Sequence, residues 1–226
     1  RTYAKDDKSI ILAAYLKPFR EGKREKALPA AKLLMGSIVS NGATHLLTGE
    51  NQTALTQGYY SDYTKFSDSE AEAIRRYYDY MIRYENLFFD PELQDVTMTH
   101  TGWDNYEYQC TSHKVSSYGE AGKIWMILRE KDYRKCIYLL NLCGQSEDYW
   151  NEGKEEPNIQ KDIKFTVQVD TPVEKICFST PDGENMDAIE LSFTERATKT
   201  GKFIDFTVPS LNYWTTIWID TRKETI

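Results

Sequence analysis

The stretch NGATHLLTGENQTALTQGYY, residues 41–60, holds the side chains best suited to chemistry by type and spacing. Glu50 and Asn51 stand just after a short apolar run, His45-Leu46-Leu47, and Tyr59-Tyr60 close the polar, glycine-punctuated loop that follows. A carboxylate accepts hydrogen bonds and a carboxamide both donates and accepts them. Tyrosines add flat apolar faces with one polar tip. Such a set fits the rim of a site, and it also fits an ordinary surface loop. His45 sits in the strand before the rim, as a ligand contact or as a buried, hydrogen-bonded histidine.

The elements that position these residues read as two βα units. The run SIILAAYLKPF (9–19) ends in a proline and predicts a buried strand of the parallel-sheet kind. Residues 24–42 follow with helical spacing at Leu28, Ala31, Leu34/Met35 and Ile38, and stop at Asn41-Gly42. Pro29 is read in the first turns, where a missing N–H is tolerated. ATHLLTG (43–49) predicts a second strand. Ser67 and Glu70 have capping-box spacing and open a helix to about Phe88, with Ile74, Tyr77/Tyr78, Met81 and Tyr84 on one face. Strand, helix, strand, helix is the order of a parallel sheet or barrel.

After Asp90-Pro91 the texture changes. Strand-like runs at 123–130, 135–143, 163–169, 174–180, 188–195, 203–209 and 214–220 are separated by turn signals such as Pro181-Asp182-Gly183. Short strands at this spacing predict an antiparallel sandwich. Charge changes at the same place. Residues 1–90 carry 13 basic and 12 acidic side chains, and residues 91–226 carry 15 and 23. The expected division is an α/β domain over 1–92 and an all-β domain over 93–226. Two βα units cannot close an eight-stranded barrel, so the first domain needs a packing partner.

Composition narrows the function classes. With 40% hydrophobic and 28% charged residues the chain is globular. Net charge is −7 without a basic block, which argues against nucleic acid as partner. The absence of an 18-residue apolar run argues against a membrane-spanning helix. Cys110, Cys136, Cys143 and Cys177 form no CxxC, and His45, His100 and His113 are scattered, so neither a metal nor another cofactor is expected. Cys136 and Cys143 read as buried free thiols. The 16 tyrosines and 5 tryptophans suit sugars and other amphipathic ligands, though sheet packing favours aromatics too. Trp103, Trp150, Trp214 and Trp218 read either as a sugar platform or, for Trp214 and Trp218, as core.

The residues Gly42, His45, Leu46, Gly49 and Glu50, with Tyr77-Tyr78-Asp79 and Tyr84-Glu85-Asn86-Leu87, resemble the last part of the barrel in glycoside hydrolase family 66. That family comprises dextranases and cycloisomaltooligosaccharide glucanotransferases. IILAAYLKP resembles its preceding barrel strand, and KCIYLLNLCG, ICFSTPDG, LSFT and FTVPSLNYWTTIWI are similar to its C-terminal β-domain. The chain departs from the pattern at Thr48 and in GYYSDY (58–63). The resemblance implies the last two βα units of a (β/α)8 TIM-type barrel followed by a Greek-key β-sandwich. It implies a retaining mechanism on α-1,6-glucan, in which two carboxyl groups ~5–5.5 Å apart act as nucleophile and acid. Those two residues are expected before Arg1, so no catalytic residue is assigned here. Glu50, Asn51, Tyr59, Tyr60 and His45 are the substrate-binding candidates, with an α-glucan or oligosaccharide as ligand. The implied location is extracellular or cell-surface. Two other readings stay open: a carbohydrate-binding or structural β-module, and an interaction protein that assembles through its βα units.

Overall fold

The computed structural model describes residues 8–20, 22, 24–57, 63–102 and 104–222. The chain divides into two compact units. One comprises the residues up to Pro91 together with Gly144–Pro157, and the other Glu92–Cys143 with the residues from Asn158 onward.

In the first unit, strand β1 (Ile11–Leu12) pairs in parallel with β2 (Thr44–His45). Helix α1 (Arg24–Ser40) makes the crossover between them. Gly42, at φ 80°, lets the helix stop: its N–H reaches Val39 O at 2.8 Å and Ala43 N–H reaches Ile38 O at 3.1 Å. Those two bonds satisfy last-turn carbonyls in a Schellman arrangement. A hairpin follows, β3 (Thr53–Leu55) against β4 (Tyr63–Lys65). Helix α2 (Asp68–Arg83) then leads into the short α3 (Glu85–Phe88). The capping box forms as the spacing predicts, with Glu70 N–H donating to Ser67 Oγ and Ser67 N–H to Glu70 Oε2. The buried face of α2 carries Ile74, Tyr77, Tyr80 and Met81.

Three expectations are corrected here. The first strand is two residues long rather than a buried run. Among the described residues it has one pairing partner, and Ile11 and Leu12 are 65% and 44% exposed. Pro29 lies inside α1, not in its first turn, so Glu25 O loses its intrahelical donor. Leu28 and Leu34 are only half-buried, while Ala27, Ala30 and Leu33 are buried, so α1 is covered around more of its circumference than one stripe.

The second unit is built from β5 (Gln94–Asp95), the short helix α4 (Thr97–His100), β6 (Tyr108–Cys110), β7 (Val115–Ser116), β8 (Ile124–Lys131), β9 (Arg134–Asn141), β10 (Gln160–Val169), β11 (Val173–Ser179), β12 (Ile189–Leu191), β13 (Phe193–Thr198), β14 (Gly201–Leu211) and β15 (Trp214–Thr221). One sheet runs β13-β14-β10-β6, the other β12-β11-β15-β9-β8-β5 with β7 added parallel to β8. The alternation in β14 places Ile204, Phe206 and Val208 in the same core as Phe165, Val167, Ile137, Leu139 and Ile217, so both sheets feed one cluster. The run at 188–195 is not one strand. It divides at Ser192, and its halves, β12 and β13, join different sheets. Trp214 and Trp218 are buried, but they alternate with the core residues Ile217 and Ile219 and occupy the other face of β15. All four cysteines are free, and burial pushes the Cys136 thiol up to about 11, so it stays protonated at neutral pH.

Glu70 caps α2 and also pairs with Arg24 of α1. Ser67→Ala is expected to cost about 1 kcal/mol, the usual loss of an N-cap. Glu70→Ala is expected to cost about 2 kcal/mol, because the carboxylate is a charged acceptor for two elements. Urea unfolding of both variants measures the order.

Candidate functional site

The loop after β2 is held by its backbone and open at its side chains. Residues Glu50–Gln52 form a tight turn whose backbone departs from regular helix at Asn51. Gly49 N–H donates to Thr53 O at 2.8 Å, Thr53 Oγ1 to Glu50 O at 2.6 Å, and Leu55 N–H to Leu47 O at 2.8 Å. From the other side Phe66 N–H reaches Gln52 O at 2.9 Å. Within this frame Asn51 and Gln52 both take left-handed backbone conformations, φ 54° and 58°. Asn tolerates that region, whereas Gln adopts it rarely. Two such residues in a row persist only where the surroundings fix them, and functional loops are where they cluster.

The Glu50 carboxylate and the Asn51 carboxamide are exposed, and neither side chain makes a hydrogen bond or ion pair among the described residues. Both remain available to a ligand. Gln52 borders a depression of about 360 Å³ shared with Asp68, Glu72 and Arg75 of α2. Tyr59 and Tyr60, the remaining rim candidates, lie outside the described residues.

His45 is fully buried. Its Nε2 lies 2.9 Å from Ala14 O, so the ring donates from Nε2 and leaves an unprotonated Nδ1. That Nδ1 is buried without a hydrogen-bond partner among the described residues. Burial lowers the pKa of the ring, against a smaller opposing effect of the Ala14 carbonyl. The structure therefore separates His45 from the rim: it ties β2 to the chain beyond β1.

The sequence reading did not assign a role to the Tyr78 hydroxyl. It donates to His45 O at 2.7 Å and accepts from Leu47 N–H at 3.2 Å. Thr44 and Leu46 N–H donate to Ile10 and Leu12 carbonyls on the β1 side. In an extended chain the groups of residues 45 and 47 face the opposite edge, and there Tyr78 takes the place of a neighbouring strand. The adjacent Tyr77-Tyr78 pair was visible as a helix face, but nothing in its spacing singles out this bond.

A second loop converges on the first. After β1, Leu16 N–H donates to Leu55 O at 3.3 Å, and Arg20 Nη1 to Gln57 Oε1 at 2.7 Å. Both loops follow the C-terminal ends of parallel strands, where ligands bind in α/β folds.

A larger groove of about 600 Å³ lies in the second unit, lined by Glu130, Lys131, Tyr133, Arg134 and Lys135 among others. Its cations are already matched, Lys135 with Glu130, Arg134 with Asp220 and Lys131 with Glu92, whereas Asp132 and Asp170 line it as exposed carboxylates. Size favours this groove, whereas the loop after β2 adds two consecutive left-handed residues, Asn51 and Gln52, at the C-terminal side of a parallel strand. Among the described residues no cluster of three His, Cys, Asp or Glu side chains is placed to hold a metal, and no helix is long and apolar enough to cross a membrane.

The fold of this chain recurs within part of a known glucanotransferase. The chain aligns with the crystal structure of a Paenibacillus sp. cycloisomaltooligosaccharide glucanotransferase complexed with cycloisomaltoheptaose. The TM-score is 0.74 at 23% identity, over 84% of this chain and 27% of that one. The profile of glycosyl hydrolase family 66 matches residues 1–218, and the chain belongs to that family. Two cycloisomaltooligosaccharide glucanotransferases of Niallia circulans are 28% and 26% identical over 193 and 191 residues. The aligned region covers 84% and 83% of this chain but 19% of each relative, so the chain spans about a fifth of their length.

Two outcomes are expected. Tyr78→Phe leaves Leu47 N–H and His45 O without their partner and should destabilise the first unit by about 1–3 kcal/mol in urea unfolding. The lowered pKa of His45 means that the folded state binds its proton later than the unfolded chain, whose imidazole titrates near 6.5. Stability is unaffected by this group well above pH 6.5 and falls as pH drops below it, by up to about 1 kcal/mol per pH unit. His45→Gln should flatten that part of the stability–pH curve between pH 7.5 and 5.5.

Proposed function

We propose that this chain is the C-terminal part of a glycoside hydrolase acting on α-1,6-glucan by a retaining mechanism, with the catalytic carboxyl pair carried outside residues 1–226. The observation that carries the reading is the family match over residues 1–218 combined with an unpaired carboxylate, Glu50, after the second of two parallel strands. In this reading residues 1–92 are the last two βα units of a (β/α)8 barrel, and residues 93–226 are a Greek-key sandwich. The exposure of Ile11, Leu12 and Leu46 supports it, since preceding barrel strands would cover such an apolar edge.

In the retaining reaction a carboxylate attacks the anomeric carbon while a second carboxyl protonates the leaving oxygen, and water or another sugar hydroxyl then resolves the glycosyl-enzyme. Glu50 accepts hydrogen bonds from glucosyl hydroxyls near that centre, and Asn51 both donates and accepts. Tyr59 and Tyr60 stack on the ring faces. His45 acts from beneath by holding β2 in place. The relatives are named for making cyclic isomaltooligosaccharides, which supports an α-glucan or oligosaccharide as ligand. A polymeric substrate of this kind fits an extracellular or cell-surface location. The chemistry calls for no cofactor.

With dextran as substrate, residues 1–226 by themselves should release no reducing sugar, and turnover by this segment would refute the assignment of the catalytic pair elsewhere. In the longer protein, Glu50→Gln should lower kcat/KM by roughly 10- to 100-fold, as expected for losing a charged hydrogen-bond acceptor. Unchanged kinetics at an unchanged melting temperature would take Glu50 out of the site.

A further inference from the structure

We infer that Tyr149 and Trp150 form an additional glucosyl-stacking subsite, carried to the rim by the segment Gly144–Pro157. The inference rests on the α-glucan reading above and extends it to residues outside the βα loops.

The segment leaves the antiparallel unit in sequence but packs with the first unit. Its anchors are specific. Lys154 N–H donates to Lys26 O at 3.1 Å, Lys17 pairs with Glu152, and Lys26 pairs with Glu155. Lys17 lies in the loop after β1, and Lys26 lies in the first turn of α1. A helix that follows a parallel strand begins where that strand ends, so these anchors hold the segment at the same end of the unit as the Glu50 loop. Gly153 permits the approach: a Cβ at that position would sit 2.8 Å from Lys26 Cβ.

Inside the segment the fixing is tighter. Gln145 Nε2 donates to Glu155 O at 2.7 Å, and Glu155 N–H returns a bond to Gln145 Oε1 at 3.1 Å. The Lys154 side chain is only 6% exposed, and its ammonium bonds Glu147 and the Tyr149 carbonyl. Tyr149 N–H donates to Glu147 Oε2 at 2.6 Å. The peptide groups on both sides of Tyr149 are thus held by one ion pair, between a buried lysine and a half-buried glutamate. Yet the Tyr149 and Trp150 side chains are 67% and 53% exposed.

Two adjacent aromatic rings kept in water on a fixed turn lose the benefit of burial, and a rigid backbone lowers the entropy cost when a ligand covers them. Flat rings of this kind match the C–H faces of glucosyl units, and Asp148 beside them accepts hydrogen bonds from sugar hydroxyls. An α-linked glucan, longer than the reacting pair of sugars, is the ligand that such an outlying platform serves.

Affinity electrophoresis of the 226-residue chain in dextran gels tests the inference, with cycloisomaltoheptaose titration followed by tryptophan fluorescence as a second readout. Tyr149→Ala and Trp150→Ala should each weaken binding roughly 3- to 10-fold at unchanged thermal midpoint. Gly153→Val, which pushes the segment off α1, should weaken it without touching either ring. The fluorescence change on sugar addition should disappear in Trp150→Ala. Equal retardation of wild type and the Tyr149→Ala/Trp150→Ala double variant, with retardation lost in Glu50→Gln, would overturn the aromatic subsite and leave the α-glucan reading standing. A folded wild-type chain that dextran does not retard at all would overturn both.

Discussion

The carboxylate of Glu70 is the interaction on which the first unit depends. It accepts from Ser67 N–H and so starts α2, and it pairs with Arg24 at the start of α1. Arg24 also donates to Lys65 O at 3.0 Å and to Phe19 O at 3.4 Å, with its guanidinium 5.5 Å from the centre of the Phe19 ring. One ion pair therefore joins the beginnings of both helices, the end of β4 and the turn after β1. A negative charge is favoured at a helix N-terminus, whereas a positive one is not. Glu70 suits the start of α2 and offsets Arg24 at the start of α1. Its residue is 8% exposed, so water screens the carboxylate poorly, although Arg24 is about a third exposed. The pair acts less as a source of stability than as a constraint on geometry.

That constraint decides what the loops can do. Both helix starts lie at the end of the unit where β1 and β2 finish. Fixing them fixes the span that the two loops must cross. The Glu50 turn is then tied to β3 by backbone bonds and to the loop after β1 through Leu55 and Gln57. None of these ties uses the Glu50 or Asn51 side chain. The backbone carries the structural work, and the Glu50 and Asn51 side chains make no bond among the described residues. A loop held by its side chains would have no such surplus.

The parts of this arrangement that depend on local rules were legible in the sequence. Ser67 and Glu70 marked the start of α2 because a capping box is a contact between residues three apart. Asn41-Gly42 marked the end of α1 because only glycine takes φ 80° without penalty. Alternation at 203–208 gave the inward face of β14 because a strand has period two. Apart from the place of Pro29 within α1, the misreadings involve distant partners. The length of β1 depends on how many strands flank it, which the run SIILAAYLKPF does not encode. The division at Ser192 depends on which sheet accepts each half. Trp214 and Trp218 looked like core by composition, and their face depends on the register with β9 and β11. In the candidate site, Glu50 and Asn51 were legible as polar residues ending a strand. The buried, hydrogen-bonded His45 was one of the two readings the sequence offered, whereas the role of the Tyr78 hydroxyl was not legible, because it rests on two bonds to backbone far away in sequence.

His45 and Tyr78 together explain how so short a strand holds its place. Parallel pairing of two residues with two supplies few ladder bonds, far short of what a strand needs to be stable by itself. On one side of the chain His45 Nε2 adds a bond to Ala14 O, two residues beyond its register partner Leu12. On the other edge Tyr78 occupies both His45 O and Leu47 N–H. Side chains thereby continue the ladder in both directions where backbone partners stop. The consequence is directional. β2 is anchored at His45 and Leu47, immediately before Thr48 and Gly49, so the turn that presents Glu50 departs from a fixed point. The buried, acceptor-only Nδ1 of His45 strengthens this argument, since protonating it would bury a charge without a partner. The ring is kept neutral by the burial that makes it a good tether, which suits a positioning role and leaves proton transfer to groups elsewhere.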